Sequence, residues 1–173
     1  MWTDIRQEIE RARQDLGLTP EQFRAVGADE WPRIGRKVEA AFREPVMPAK
    51  RRPLLWTQVR PSFARVLLSD RDADETTLPK LRTPWADEAP LFFFAQEFFG
   101  ENKTWWYRTT GATAWQLLEY LWLKPKLVQE WGIIDRKYRW ALFVTHSDDI
   151  IFCGEPLVSN VQQRGLQSGG HAH

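Results

Sequence analysis

The feature that most constrains this chain is a change of hydrophobic period near residue 91. Before it, apolar residues recur at helical spacing. After it, they gather in short unbroken runs closed by turn signals. Trp2, Ile5, Ile9, Ala12 and Leu16 fall on one helical stripe with charged residues on the other faces, and Gly17 offers a stop. Thr19-Pro20-Glu21-Gln22 has the form of a capping box with proline at the first helical position, which predicts a second helix start. Ile34, Val38, Ala41 and Phe42 form a further stripe, with Arg33, Arg36, Lys37 and Arg43 off it, Asp29 as the expected cap and Pro45 as the stop. Residues 56–68 fit either period. Trp56, Val59, Phe63, Val66 and Leu67 favour a helix that starts or kinks at Pro61.

From Leu91 the runs are strand-like. Leu91–Ala95 and Lys103–Arg108 flank the Gly100-Glu101-Asn102 turn and read as a β-hairpin. Thr110 or Thr113 can cap an apolar helix ending at Leu123. Trp131–Ile134 reads as a strand, and Tyr138–Thr145 with Ile150–Cys153 as a second hairpin. The expected fold is therefore α+β: N-terminal helices packed on a mostly antiparallel sheet whose C-terminal half runs β-β-α-β-β-β. One domain is expected over residues 1–160, with a helical layer at 1–43, sheet plus helix at 91–158, and a disordered tail at 161–173.

Composition narrows the function. Twenty-four basic residues stand against 23 acidic ones, and residues 1–50 carry nine of each sign. Duplex binding concentrates positive charge to displace counterions, so this even mixture argues against nucleic acid as the main partner. A charged N-terminus, one cysteine and no apolar run of membrane-spanning length point to a cytoplasmic protein with no disulfide. Ten tryptophans are expected mainly in the core, with one or two at a surface patch.

Several clusters have the residue types that chemistry uses. His146-Ser147-Asp148-Asp149 pairs a histidine with carboxylates, as a general base or a metal site would. A metal needs three or four ligands, however, and the other histidines are His171 and His173, so the cluster reads as a polar hairpin turn and binding spot. Cys153 sits in an apolar strand and reads as an inert buried thiol. Glu97 and Glu101 could serve as paired carboxylates only if the fold set them across a cleft. Lys103–Arg108 interleaves cations with aromatics, and alternation puts Trp105 and Tyr107 on one face and Trp106 and Arg108 on the other. Asp70, Asp72, Asp74 and Glu75 form an acidic loop that could steer a basic partner. There is no phosphate loop, nucleophile elbow or paired-cysteine motif.

Trp131–Ile150, with its Ile133-Ile134-Asp135-Arg136-Lys137-Tyr138-Arg139-Trp140 core, resembles a late strand of small bacterial α+β proteins, some of them immunity proteins of polymorphic or contact-dependent toxin systems. The resemblance implies a non-catalytic inhibitor that plugs a toxin's active site, and it carries no catalytic residue. The expectation is thus a protein-binding module, with no cofactor or metal, that docks a protein partner through Asp70, Asp72, Asp74, Glu75, Trp105, His146, Asp148 and Asp149. Two alternatives stand beside it: a small enzyme or ligand binder with a pocket near His146, and a single-stranded nucleic-acid binder using Trp105 or Trp106.

Overall fold

The computed structural model describes residues 4–43, 59, 63–67, 87–96, 103–123, 130–145 and 149–163. In chain order these form α1 (Asp4–Asp15), β1 (Phe23–Ala25), α2 (Trp31–Phe42), β2 (Phe63–Leu67), β3 (Pro90–Gln96), β4 (Thr104–Thr110), α3 (Gly111–Leu123), β5 (Glu130–Asp135), β6 (Ala141–Val144), β7 (Asp149–Cys153) and α4 (Glu155–Gln163). The strands make one antiparallel sheet in the order β1-β4-β3-β5-β6-β7-β2. The fold is α+β.

Helices cover both faces of this sheet, which explains the unbroken apolar runs. In β3, Leu91, Phe93 and Ala95 enter one core while Phe92 and Phe94 enter the other. A strand buried on both sides has no solvent face to alternate toward. The first core is closed by Ile9 and Ala12 of α1, by Leu117, Leu118 and Leu121 of α3, and by Leu157, Val158 and Val161 of α4. The second is closed by Ile34, Val38 and Phe42 of α2 against Phe94, Trp106, Ile134 and Phe143. Aromatic rings carry much of both. Phe23 stacks on Tyr107 with centroids 4.6 Å apart, and on the opposite face Phe94 lies 5.2 Å from Trp106. Full burial of each such side chain contributes about 1.5–3 kcal/mol.

Local signals set the element ends. Gly17 takes φ +62° and stops α1. Thr110 Oγ1 accepts the backbone N–H of Thr113 at 3.4 Å and caps α3. β3 and β4 pair in register from Pro90↔Thr110 to Gln96↔Thr104, the hairpin expected from the sequence.

Other expectations are corrected. The order is not helices first and then β-β-α-β-β-β: β1 and β2 come from the N-terminal half, α4 follows β7, and helices and strands are interspersed. Within 1–43, α1 and α2 lie on opposite faces of the sheet and do not form one layer. The Thr19–Gln22 contact does form, with the Thr19 N–H donating to Gln22 Oε1 at 3.0 Å, but it closes a turn. Phe23 then enters the sheet opposite Thr109, because its burial against Phe93 and Tyr107 outweighs the local helix signal. Asp29 does not cap α2. Glu30 holds that position without a side-chain cap, and proline stands in the first turn.

Phe63–Leu67 is a strand, not a helix. It pairs along β7, with Ala64 buried and Phe63 and Arg65 exposed, which is edge-strand alternation. Val161 does not begin a disordered tail. It is buried on α4, which runs to Gln163.

Candidate functional site

The site grows from a mismatch in strand length. β4 has seven residues, whereas β1, its outer neighbour, has three. Their register is Phe23↔Thr109, Arg24↔Arg108 and Ala25↔Tyr107, and the Val26 N–H adds one bond to the Trp106 carbonyl at 2.8 Å. The chain then turns away, with the N–H groups of Glu30 and Trp31 both donating to the Gly27 carbonyl. α2 starts there and crosses the sheet face that carries Trp106. An ion pair between Arg108 of β4 and Glu30 at the N-terminus of α2 ties the two together.

This departure leaves the first part of β4 without an outer neighbour among the described residues. In an antiparallel ladder, alternate residues direct both backbone groups to the same side. Since Trp106 bonds outward to Val26, Thr104 also points its N–H and C=O outward, and β1 has no residue opposite it. The result is a slot of about 830 Å³ along the open strand edge, with a wall on either side of the sheet.

The two walls can be assigned by alternation. On the α1 side stand Trp105 and Lys103, with the Arg6 guanidinium over the Trp105 ring at 4.9 Å from its centroid. On the α2 side stand Trp106, Trp31, Arg36, Glu39 and Arg43. The described lining carries the basic side chains of Arg6, Arg36, Arg43 and Lys103, with Glu39 pairing with Arg43 at 3.6 Å, and Arg6, Arg43 and Lys103 each have further partners. Trp31 is 47% exposed, the greater of the two large exposed hydrophobic side chains among the described residues. Among the described residues the slot brings together main-chain groups of β4, indole surface and basic side chains.

Among the described residues, Trp105 is the one expected site residue that lines this slot. Asp149 is elsewhere, at the far end of the sheet on β7, and is 1% exposed. It pairs with Arg65 of β2, and the Thr145 N–H donates to its carbonyl at 3.0 Å. It therefore holds β2 to β7 and offers no docking carboxylate. Asp70, Asp72, Asp74, Glu75, His146 and Asp148 lie outside the described residues, as do Glu97 and Glu101. Cys153 is buried, and burial pushes its thiol well above the usual cysteine range, so the thiol stays protonated and unreactive.

Among the described residues no three His, Cys, Asp or Glu side chains gather as a metal site requires, and no helix is long and apolar enough to cross a membrane. Tyr107, beneath β1, has its hydroxyl held above the ordinary tyrosine range, first by burial and then by Glu10, with Arg6 and Arg13 opposing. Arg6, Arg36, Arg43, Trp31 and Thr104 were not singled out from the sequence. Arg36 and Arg43 were visible as the charged flank of the α2 stripe. Only the sheet order shows what that flank faces.

A protein-family model described as a family of unknown function, DUF6756, matches residues 1–165. No curated protein and no solved structure matches the chain.

Proposed function

The chain belongs to this family of unknown function, and from that premise we propose that it is a non-catalytic binding module that holds a protein partner in the slot between α1, α2 and the open edge of β4. One observation carries the reading: basic side chains and three indoles line a cleft along the stretch of β4 that, among the described residues, has no outer neighbour. Buried catalytic chemistry would ask for ionisable groups of perturbed affinity converging there. Among the slot's described lining residues there is one carboxylate, Glu39, and no histidine or cysteine.

A cognate toxin is the partner class that the C-terminal resemblance contributes. The slot would place such docking at basic and indole side chains, where the sequence pointed to acidic ones.

The test compares capture of proteins from the native cell extract by the unaltered chain and by an Arg36→Glu, Lys103→Glu double variant of matched stability. Charge reversal of this kind removes attraction and adds repulsion. A protein captured by the first and lost by the second is the expected result. The reading fails if every captured protein is retained by both.

A second reading has its own observation. Trp31 and Trp105 stand in the same slot as the cations, and indoles beside basic groups stack single-stranded bases. Quenching of tryptophan emission by an oligonucleotide at low salt, relieved by added salt, would favour it.

A further inference from the structure

We propose that the flank of α2 that does not line the slot, together with the turn between β5 and β6, binds a phosphorylated side chain of a protein partner through Arg33, Lys37, Arg136 and the Tyr138 hydroxyl. None of these four residues lines the slot, so the patch is a second site.

Packing on the second core assembles the patch. The Tyr138 ring lies 6.2 Å from the ring of Phe92. From α2, the Lys37 ammonium stands 5.5 Å from the centre of the Tyr138 ring, and from the turn the Arg136 guanidinium stands 5.5 Å from the centre of Phe92. Arg33 precedes Lys37 by one helical turn, so both side chains leave the same flank of α2. Arg33, Arg136 and Arg108 all act electrostatically on the Tyr138 hydroxyl.

The countercharges nearby are taken. Glu30 reaches the same hydroxyl and pairs with Arg108. Asp135 pairs with Arg139, and alternation along β5 turns it to the face of Ile133, away from Ile134 and α2. Arg33, Lys37 and Arg136 are exposed, and none of them pairs with a carboxylate among the described residues. The Tyr138 hydroxyl likewise has no hydrogen-bond partner among the described residues. Burial raises its pKa, with Arg33 and Arg136 opposing, so the phenol keeps its proton at neutral pH and can donate.

The backbone agrees. Tyr138 has φ +58°, the one positive φ at a non-glycine residue among the described residues, and its N–H closes the turn on the Asp135 carbonyl at 2.7 Å. Glycine or asparagine suits such a position best. The turn alone therefore does not call for an aromatic side chain, whereas the contacts with Phe92 and the cations do.

A phosphate monoester brings nearly two negative charges and three acceptor oxygens. Two guanidinium forks, an ammonium and a phenol offer donors to all of these, and a single carboxylate would leave part of the set unused. An open patch of exposed cations admits a phosphate carried on a protein surface. Membranes and duplexes spread many charges and call for a broad positive field, which 24 basic against 23 acidic residues do not make.

The test follows backbone amide shifts of the full chain by NMR as a short peptide is added. The peptide carries one phosphothreonine between glutamates, the flanking charge being placed for exposed Lys137. Its unphosphorylated form and inorganic phosphate are titrated beside it. The phosphopeptide is expected to shift Arg136, Lys137 and Tyr138 saturably, and more tightly than either control. Arg33→Gln with Arg136→Gln should weaken binding by about tenfold or more, and Tyr138→Phe, which keeps the ring, by about tenfold. Arg36→Gln, a change in the slot, should leave it unaltered.

Should the double variant misfold, Tyr138→Phe still decides. The inference falls if the unphosphorylated peptide binds as well, or if binding ignores both the arginines and the hydroxyl. Inorganic phosphate that binds as tightly as the phosphopeptide would make the patch a site for a free anion and overturn the protein partner. Oligothymidylate or phosphatidylserine vesicles that shift these amides where the phosphopeptide does not would overturn it in favour of nucleic acid or membrane.

Discussion

Gly132→Ala should destabilise the chain, and the reason lies in one ring. Gly132 sits on β5 opposite Phe94 of β3 and Phe143 of β6, at the centre of the sheet. A Cβ added there would meet Phe94 Cε1 at 2.5 Å and Cζ at 2.8 Å, and would come closer still to the backbone oxygen of Leu142. The ring could turn. The oxygen belongs to the neighbouring strand and cannot yield without disturbing the ladder. Overfilling a packed core costs about 1–3 kcal/mol, and more when backbone is the obstacle. The lower chain entropy of unfolded alanine offsets about 0.4–1 kcal/mol of this.

Gly35→Ala is the matched contrast, because a Cβ at that position in α2 has nothing within 4 Å. Replacing a helical glycine by alanine there should add up to about 1 kcal/mol. In urea, the Gly132→Ala midpoint should fall and the Gly35→Ala midpoint rise, with slopes unchanged. In a thermal melt, each kcal/mol should correspond to roughly 2–4 °C. A Gly132→Ala chain that unfolds at or above the parent midpoint would refute the packing argument. Phe94 would then not occupy the space that glycine leaves.

Three further outcomes test the site and its surroundings. Cys153 should resist a thiol reagent in the folded chain and react only on unfolding, so rapid labelling under native conditions would contradict its burial. Asp135 is pushed up by burial, but the Arg139 side chain (Nε to Oδ2, 2.6 Å) and the backbone N–H groups of Lys137 and Arg139 outweigh this and hold it below the ordinary carboxylate range. Its folded value being lowered, its contribution is present above the unfolded value of about 3.9 and is lost as pH falls through the folded one. Asp135→Asn should therefore cost about 1–3 kcal/mol near neutral pH and flatten the acid limb of a stability–pH curve, and parallel acid limbs would count against this. The Tyr107 hydroxyl is buried with no hydrogen-bond partner among the described residues, so Tyr107→Phe should leave stability unchanged or raise it by up to about 1 kcal/mol. A clear loss on urea unfolding would show that the hydroxyl is used.

What the sequence disclosed follows from where its residues end up. The central strands were legible because β3, β5, β6 and β7 are buried on both faces, which leaves apolar runs too short for helices. The edge strands were not. β1 is three residues long and follows a convincing helix-start signal, so only its pairing with β4 identifies it. β2 carries Arg65 in an apolar context and invites a helical reading, until Asp149 on the adjacent strand supplies its ion-pair partner. The cation–aromatic pattern of Lys103–Arg108 drew attention to Trp105, which lines the slot. It could not show that Arg6, Arg36 and Arg43, distant in sequence, share that slot, because this depends on α1 and α2 lying on opposite faces of the same sheet edge.

The two ends of the sheet differ in what stands beside their edges. β2 has an outer edge along its whole length among the described residues, with exposed Phe63 and half-exposed Arg65 beside it. Its charged side chain is engaged with Asp149, and α4 packs against the strand, with Ala64 in the same core as Leu157, Val158 and Val161. At β4 the open stretch is shorter, but α1 and α2 rise on both sides, and basic side chains and indoles line the slot between them. Main-chain bonds alone do not discriminate between partners, and side-chain walls do. The proposed docking reading therefore places the partner at the shorter edge, where β1 ends early and the chain turns at Gly27 to build α2.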